Sequence, residues 1–269
     1  MLPEGAAAQI RTAGPPSAAR DAATVMLLRP AAVKDDREGG QAASGLEVYM
    51  LRRRQSMPFA PGAYVFPGGS VDPRDADADV AWAGPDVTEW AAWLGSTPEL
   101  ARGLLCAAVR ETFEEAGVLL AGAEGLEPDR LALLDRSLSL AGLLARRGLV
   151  LRSDLLKPWA RWITPAVEGR RYDTRFFAAA LPSGQQTREI RDEADEVVWV
   201  RPADVLAAAR RGEALVLPPT AVTLAELEDC GSVAAALAAP RRITPLQPEI
   251  RLDGDRAWLH MPDDLEYPL

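Results

Sequence analysis

Three glutamates within five residues, near the end of a predicted helix, constrain this chain more than any other stretch. Glu111, Glu114 and Glu115 stand at i, i+3 and i+4, so their carboxylates project from one side of the helix and repel one another. Gly117 suits the left-handed position that ends a helix, and near that end the dipole disfavours each anion by about 0.3–1 kcal/mol. A hard divalent cation with oxygen ligands would reverse both penalties. The pattern therefore predicts a metal site.

The alternative is a solvated helix face, in which Arg110 and Glu114 form an ordinary i,i+4 ion pair. The surrounding residues favour the metal site. The string RETFEEAGV from Arg110 to Val118 matches R-E-U-x-E-E-x-G-U, the core of the Nudix box, with Thr112 where an apolar residue is usual. Upstream, Phe66-Pro67-Gly68-Gly69 matches the strand-to-loop entry that precedes the box. The chain thus resembles the Nudix hydrolases.

The box is interrupted in this sequence. Its glycine and its arginine, here Gly69 and Arg110, are separated by about 27 more residues than the box G-x5-E-x7-R-E allows. The position of the first glutamate of the box holds Arg102, and the nearest acids are Asp75 and Glu99. The sequence therefore leaves that glutamate without a clear counterpart.

An interrupted box is associated with a coenzyme A diphosphatase-like branch of the Nudix family, and three further stretches resemble that branch. They are Trp162-Ile163-Thr164-Pro165, Tyr172-Asp173-Thr174-Arg175-Phe176-Phe177, and Leu217-Pro218-Pro219-Thr220. The resemblance implies hydrolysis of a pyrophosphate bond in a nucleoside-diphosphate-linked substrate, with coenzyme A or an acyl-CoA favoured. ADP-ribose, a dinucleotide or capped RNA are alternative substrates, and a catalytically silent nucleotide-binding module is the alternative function.

The resemblance implies an α/β fold: a Nudix-type α/β/α sandwich with a mixed central sheet, an insertion inside the box and a helical C-terminal elaboration. We expect a disordered tail over residues 1–20 and a single domain over 21–269. The insertion spans residues 70–95, and the elaboration spans 215–269. Ser96 is the expected N-cap of the helix that carries the glutamates, because Glu99 three residues later completes a capping box.

Further elements follow from hydrophobic periodicity and turn residues. We expect a long helical pattern over residues 126–148, broken near Gly142, and a second helical stretch over 221–238. The expected strands and the C-terminal hairpin cover residues 24–28, 48–51, 63–66, 160–163, 171–180, 197–200, 249–252 and 256–260.

The resemblance assigns roles to individual residues. Glu111, Glu114 and Glu115 would hold Mg²⁺ or Mn²⁺, and Arg110 would orient them. Gly68, Gly69 and Gly117 would give structural support.

Two further groups of residues are candidates for the site. Either Glu111 or Glu193 would act as the catalytic base, with Glu189 and Glu196 as neighbours of Glu193 in the same loop. Of the three arginines that follow the second strand, Arg53 and Arg54 would bind the substrate, since a guanidinium fork matches a pyrophosphate oxygen pair. The alternative for each of these residues is a solvated surface charge.

Composition limits the partners. The net charge of −9 argues against a nucleic-acid-coating surface, because phosphate contacts need clustered Lys and Arg. Cys106 and Cys230 give no disulfide framework, and no apolar run is long enough to span a bilayer, so we expect a cytoplasmic location without a membrane partner. A nucleotide-type small molecule is the expected partner, and the resemblance implies a tendency to form homodimers.

The insertion brings Trp82, Trp90 and Trp93 beside the glycine loop at one end and the glutamate helix at the other. Since both ends are anchored near the expected metal site, we expect the insertion to recognise the part of the substrate that the metal does not. The alternative is that it packs on the protein's own surface.

Overall fold

The computed structural model describes residues 10, 15–32, 45–56, 60–76, 80–122, 126–188, 194–262, 265 and 267–269. Its strands, in chain order, are β1 (Arg20–Pro30), β2 (Leu46–Arg53), β3 (Ala63–Val65), β4 (Gly68–Ser70), β5 (Trp82–Ala83), β6 (Leu151–Arg152), β7 (Lys157–Ile163), β8 (Tyr172–Ala180), β9 (Ala194–Val200), β10 (Leu215–Val216), β11 (Pro245–Leu246), β12 (Glu249–Asp253) and β13 (Arg256–His260). Its helices are α1 (Val87–Leu94), α2 (Pro98–Ala116), α3 (Glu127–Leu134), α4 (Leu140–Arg147), α5 (Pro202–Arg210), α6 (Pro218–Cys230) and α7 (Val233–Ala238).

One mixed sheet organises the molecule. Its strand order is β10-β3-β2-β1-β8-β7-β11, with β4 paired to β1 and β9 paired to β2. β1 and β8 run parallel over nine residue pairs, from Arg20 opposite Tyr172 to Leu28 opposite Ala180. β1 is antiparallel to β2 and to β4, and β7 is antiparallel to β8. The predicted mixed sheet is confirmed.

Helices cover both faces of this sheet. Alternate residues of β1 enter two different cores, because side chains along a strand point to opposite faces. Val25 and Leu27 pack with α1, α2 and residues of α3 and α4, whereas Met26 and Leu28 pack with residues of α5, α6 and α7. This arrangement is the predicted α/β/α sandwich, and it places α2 against one face of the sheet.

The ends of α2 follow from its sequence. Thr97 is the N-cap, since its hydroxyl accepts from the amide of Leu100 at 3.2 Å and Pro98 occupies the first turn. The prediction that Ser96 is the N-cap was therefore wrong by one residue. At the other end Gly117 has a φ of 70°, and its amide donates to the Phe113 carbonyl at 3.0 Å, as predicted for a left-handed cap.

The described part of the insertion reaches the core at a few positions, Val80, Trp90, Ala91 and Leu94, while most of its other residues are partly or fully exposed. Trp90 in α1 is 1% exposed and packs edge-to-face on Phe177 of the sheet, with ring centroids 6.0 Å apart. The Trp82 indole donates to the Pro85 carbonyl, and Trp93 is exposed. Trp90 thus packs on the protein itself, and the role of the insertion in recognition stays a prediction.

Two helical patterns have different breaks from those predicted. α4 runs through Gly142, and the break in the 126–148 pattern lies instead at residues 135–139, between α3 and α4. The expected 221–238 stretch is two helices, since Gly231 ends α6 with a φ of 66°. The β12–β13 hairpin forms as predicted.

No helix in the described ranges has the length and apolarity needed to cross a bilayer. Neither Cys106 nor Cys230 forms a disulfide bond within the described residues. The tail predicted for residues 1–20 falls mostly outside the described residues, and the domain boundaries stay predictions.

Candidate active site

The last two turns of α2 carry the three glutamates predicted to bind metal. The side chains of Glu111 and Glu114 are only 14% and 12% exposed, so they do not form a solvated helix face. The i,i+4 ion pair of that alternative is nevertheless present, because Arg110 Nη1 lies 3.2 Å from Glu114 Oε2. Carboxylates held at this low exposure need compensating charge or hydrogen bonds.

Arg110 supplies part of this compensation. Its Nη1 donates to Glu111 Oε1 at 2.7 Å as well as to Glu114, while its Nη2 donates to the Ser70 carbonyl at 3.0 Å. The guanidinium also binds the Asp75 carboxylate, from Nη2 at 2.8 Å and from Nε at 3.0 Å. Burial alone would lower the pKa of Arg110, but Asp75 and Glu111 raise it above its usual value. Arg110 thereby ties α2 to the insertion.

Asp75 is a site residue whose role the sequence did not settle. It was one of two acids nearest the place of the missing box glutamate; the other, Glu99, is exposed in the first turn of α2. Asp75 is 3% exposed, in a 3₁₀ turn over Pro73–Ala76. Because an interrupted sequence has no fixed spacing, only the fold could show which acid reaches Arg110.

Gly68 and Gly69 contact two of the glutamates, and they lie in β4 rather than in the loop that the sequence predicted. The amide of Gly68 donates to Glu115 Oε2 at 2.9 Å. A Cβ on Gly69 would lie 2.3 Å from Glu111 Oε1, so a side chain there would displace the Glu111 carboxylate. Gly68 thus offers a hydrogen bond and Gly69 leaves space, while their role in a catalytic site stays a prediction.

The acidic cluster is defined as Asp75, Glu111, Glu114 and Glu115. Arg110 binds Asp75, Glu111 and Glu114, and the Gly68 amide binds Glu115. Burial raises the pKa of Glu111 to about 7; Glu114 and Asp75 add to the rise, and Arg110 opposes it.

The donor chemistry of the cluster fits a hard divalent cation, because it offers several carboxylate oxygens with excess negative charge. In the ranges that the structure describes, however, no three His, Cys, Asp or Glu side chains converge closely enough to hold a metal ion. Glu111 and Glu114 point to Arg110, and Glu115 points to the Gly68 amide. Ligation would require these side chains to turn from their present partners.

Thr112 departs from the apolar residue usual in the box, yet it is fully buried. Its hydroxyl donates to the Ala108 carbonyl one turn earlier at 2.7 Å. A buried hydroxyl with this partner behaves as a small apolar side chain would, so the departure does not disturb α2.

The remaining predicted residues that the structure describes lie at the end of β2 and in β9, so Glu196 belongs to a strand and not to the loop that the sequence predicted. Arg53 is half-buried opposite Ala194, and Arg54 Nε lies 3.8 Å from the Asp195 carboxylate. Glu196 accepts a hydrogen bond from the Tyr64 hydroxyl at 2.9 Å. Glu193 and Glu189 lie outside the described residues, and the assignment of a base among them stays a prediction.

A second feature, which the sequence did not predict, is an apolar cavity of about 360 Å³ on the sheet face that packs with α5, α6 and α7. Its walls include Phe66 and parts of the three stretches that resemble the coenzyme A branch, namely Trp162–Pro165, Tyr172, Thr174 and Phe176, and Leu217–Thr220. Pro248, Ile250 and Leu259 close it from the C-terminal region. These stretches are far apart in sequence, so their convergence is visible only in the fold.

Comparison with known proteins agrees with this geometry. A family model described as "NUDT19 Nudix domain" matches residues 96–227. Two similar proteins are the acyl-coenzyme A diphosphatase NUDT19 of Xenopus laevis, 27% identical over 231 residues, and that of Homo sapiens, 29% identical over 227 residues. The matches cover 68% and 66% of this chain but only 60% and 59% of those proteins.

A similar solved structure is a NUDIX hydrolase from Alicyclobacillus acidocaldarius. It is 29% identical in sequence with a TM-score of 0.67, and the match covers 84% of this chain and 98% of that one.

Proposed function

The chain belongs to the Nudix hydrolases, and from that premise we propose that it is a metal-dependent pyrophosphohydrolase acting on coenzyme A or an acyl-CoA. The observation that carries the proposal is the acidic cluster on α2 together with an apolar cavity lined by a strand neighbour of Gly68. Gly68 and Gly69 contact Glu115 and Glu111, and Thr24, which pairs with Gly68, lines the cavity. A substrate with a pyrophosphate and an uncharged organic arm fits both.

In this proposal Glu111, Glu114 and Glu115 hold one or more Mg²⁺ or Mn²⁺ ions. When bound, such a cation neutralises charge on the phosphate oxygens and eases deprotonation of water. Arg110 keeps the carboxylates together, and Asp75 keeps Arg110 in place. Arg53 and Arg54, at the end of β2, bind pyrophosphate oxygens.

The reaction is attack of a water oxygen on phosphorus. The bond to the bridging oxygen of the pyrophosphate breaks, and a carboxylate takes the proton of the water. Glu111 is one candidate for this role, because its carboxylate lies beside the glutamates that would hold the cation. Glu193 is the alternative base. With coenzyme A, the products are adenosine 3′,5′-bisphosphate and phosphopantetheine.

Coenzyme A and its acyl esters lead among substrates for two reasons. The two similar curated proteins are named acyl-coenzyme A diphosphatases, and the stretches that resemble the coenzyme A branch line one cavity. ADP-ribose, dinucleotides and capped RNA remain alternatives, with RNA disfavoured by the net charge of −9. The cytoplasmic location and the homodimer expected from the sequence remain predictions.

The competing function is a nucleotide-binding module without turnover. The observation in its favour is that one atom, Arg110 Nη1, binds both Glu111 and Glu114, so an arginine can hold these carboxylates together. The three glutamates themselves favour the enzyme, since a binding module has no need to keep them.

A product screen separates these functions. The protein is incubated with coenzyme A, decanoyl-CoA, ADP-ribose and a dinucleoside polyphosphate, each with Mg²⁺, with Mn²⁺ and with EDTA, and products are separated by chromatography. We expect adenosine 3′,5′-bisphosphate from the CoA substrates with metal only. Binding of a nucleotide without products under any condition would establish the silent module instead.

A further inference from the structure

A residue with a strained backbone follows α3. Arg136 comes directly after Asp135, the C-cap of the helix, and has a φ of 65°. Among the described residues that are not glycine, Ala60 is the other one with a positive φ. An L side chain is disfavoured in this region, and glycine is the usual residue at this position after a helix. An arginine at a position that favours glycine indicates that its side chain makes a contact that glycine cannot.

The partner in this contact is Asp72 of the insertion. Arg136 Nη2 binds Asp72 Oδ2, and the Arg136 carbonyl accepts a hydrogen bond from Arg74 Nη1 at 3.1 Å. Arg74 also donates to Asp72 Oδ1, from its amide at 2.9 Å and from Nε at 3.2 Å. The hydrogen bond from the Arg74 side chain outweighs the effect of burial and, with the Arg74 amide and Arg136, lowers the pKa of Asp72 to about 2. Both the side chain and the main chain of the strained residue therefore bind the insertion.

Asp72 also fixes the carboxylate of Asp75. The Asp72 amide donates to Asp75 Oδ2 at 2.8 Å, and the Asp75 amide donates to the Asp72 carbonyl at 2.8 Å. Asp75 Oδ2 is also the atom that Arg110 Nη2 binds at 2.8 Å. Arg110 in turn binds Glu111 and Glu114 through Nη1. A continuous set of hydrogen bonds thus runs from the end of α3 to the glutamates of α2.

Stability alone does not explain these contacts. The side chains of Arg136 and Arg74 are 69% and 39% exposed, and ion pairs at such exposure contribute little to folding because water screens them. The left-handed backbone of Arg136 costs at least as much as one such pair contributes. A strained contact that adds no net stability and leads to the site is best explained by what it positions there.

We propose that Asp72, held by Arg74 and Arg136, is a positioning residue for the glutamates of α2. It fixes the 3₁₀ turn that follows it against the end of α3, and through Asp75 it sets the position of Arg110 and of the carboxylates that Arg110 binds. This inference rests on the proposed function for its kinetic test, but not for its test on Arg110.

Arg136→Gly separates positioning from stability, because it removes the guanidinium and also relieves the backbone strain. We expect the melting temperature in EDTA to be unchanged or raised. With Mg²⁺, kcat for decanoyl-CoA should fall by about 10–100-fold while KM stays within about twofold, because a small misplacement of catalytic groups lowers the rate more than it weakens binding.

Two further variants serve as controls for this experiment. Arg136→Lys keeps a cation at the same place and should retain most of the wild-type kcat. Arg211→Gly should have the wild-type kcat, because Arg211 also follows a helix and pairs with an exposed carboxylate, Glu213, but lies at the end of α5.

The Nε proton of Arg110 reports on the position of its guanidinium without catalysis. Arg110 donates this proton to Asp75 Oδ1 at 3.0 Å in a buried pair, so it should exchange slowly with water in NMR spectra of the metal-free protein. The signal is assigned by its loss in Arg110→Lys. We expect exchange faster by about tenfold or more in Arg136→Gly and in Asp72→Ala, and wild-type exchange in Arg211→Gly. If Asp72→Ala does not fold, Arg136→Gly decides the result.

The outcomes separate this inference from the proposed function. Wild-type exchange of the Arg110 proton in Arg136→Gly overturns the positioning role, and so does a wild-type kcat in that variant. A kcat in Arg136→Lys as low as that in Arg136→Gly also contradicts it, because the cation would then not be the part that holds Asp72. Faster exchange in Arg136→Gly, in a protein whose wild type hydrolyses no CoA substrate, supports the positioning of Arg110 and contradicts the proposed function.

Discussion

The acidic cluster and the apolar cavity lie near one strand pair, Gly68 and Thr24, but they differ in how each departs from a stable interior. In the cluster, three carboxylates contact Arg110, with Asp75 almost fully buried. The cavity leaves aromatic rings such as Phe66 and Trp162 beside open space. One region concentrates negative charge, and the other has too little packing. Both departures are of the kind expected where a protein has been shaped for ligand binding rather than stability.

The largest expected effect concerns a residue outside the described part of the chain. If Glu193 completes the acidic cluster as its base, Glu193→Gln should lower kcat by about 10²–10⁴-fold while Mg²⁺ affinity is nearly kept. Steady-state kinetics with a Mg²⁺ titration measures both quantities. A wild-type rate in this variant would leave Glu111 as the base and the cluster complete without Glu193.

The burial of the cluster can be tested by removing one charge. Asp75→Asn leaves the buried Arg110 with weaker compensation and should lower the free energy of unfolding by about 3 kcal/mol. Asp154→Asn is the matched control, because its pair with Arg152 has side chains 44% and 37% exposed and should change stability by about 0.5 kcal/mol or less. Equal losses in urea unfolding would mean that the buried pair has no special role.

The raised pKa of Glu111 predicts that the stability of the metal-free protein depends on pH. Since the folded-state pKa of Glu111 is raised to about 7, its contribution to stability is fully present below its unfolded pKa of about 4.3 and is lost as pH rises through 7. In EDTA we expect stability to fall by on the order of 1–3 kcal/mol between pH 5 and pH 8.

Glu111→Gln is the control for this effect, because it removes the titrating group and should flatten the profile. Mg²⁺ should raise the melting temperature of the wild type more at pH 8 than at pH 5. A wild-type profile that matches that of Glu111→Gln would show that Glu111 is not the source of the dependence.

The smallest expected changes in stability concern two buried threonine hydroxyls, one on each face of the sheet. Thr112→Val on α2 removes a hydrogen bond to a helical carbonyl and should change stability by less than about 1 kcal/mol. Thr223 on α6 is also fully buried, but its hydroxyl has no hydrogen-bond partner among the described residues. Thr223→Val should therefore stabilise the protein by up to about 1 kcal/mol. Thermal melts measure both effects, and a lower melting temperature for Thr223→Val than for Thr112→Val would contradict this expectation.

The placement of the three glutamates on one side of α2 could be predicted, because it depends only on their spacing along one helix. Spacing of i, i+3 and i+4 places Glu111, Glu114 and Glu115 together whatever the rest of the chain does, and Gly117 ends the helix as expected. The choice between Ser96 and Thr97 as N-cap failed because both can cap and they differ by one position. Only φ and ψ, which depend on how the preceding turn enters the helix, decide between them.

The rest depended on contacts between distant segments. Asp75 reaches Arg110 across 35 positions of sequence, and nothing in the spacing of an interrupted box selects it. The cavity draws on residues from Thr24 to Leu259, so no periodicity could reveal it. Trp90 was expected at the rim of the site because its segment is anchored there, but the apolar face of α1 buries it on Phe177.

The most direct test of the central claim is Mn²⁺ binding by electron paramagnetic resonance, carried out with turnover of decanoyl-CoA on the same samples of wild type and Glu115→Gln. Because Glu115 is held at the glycine loop and is proposed to bind the cation, we predict weaker Mn²⁺ binding and a loss of about 10²–10³-fold in kcat. The melting temperature in EDTA should be unchanged or slightly raised, since one of several mutually repelling charges is removed. Wild-type Mn²⁺ affinity together with wild-type turnover in Glu115→Gln would contradict the account.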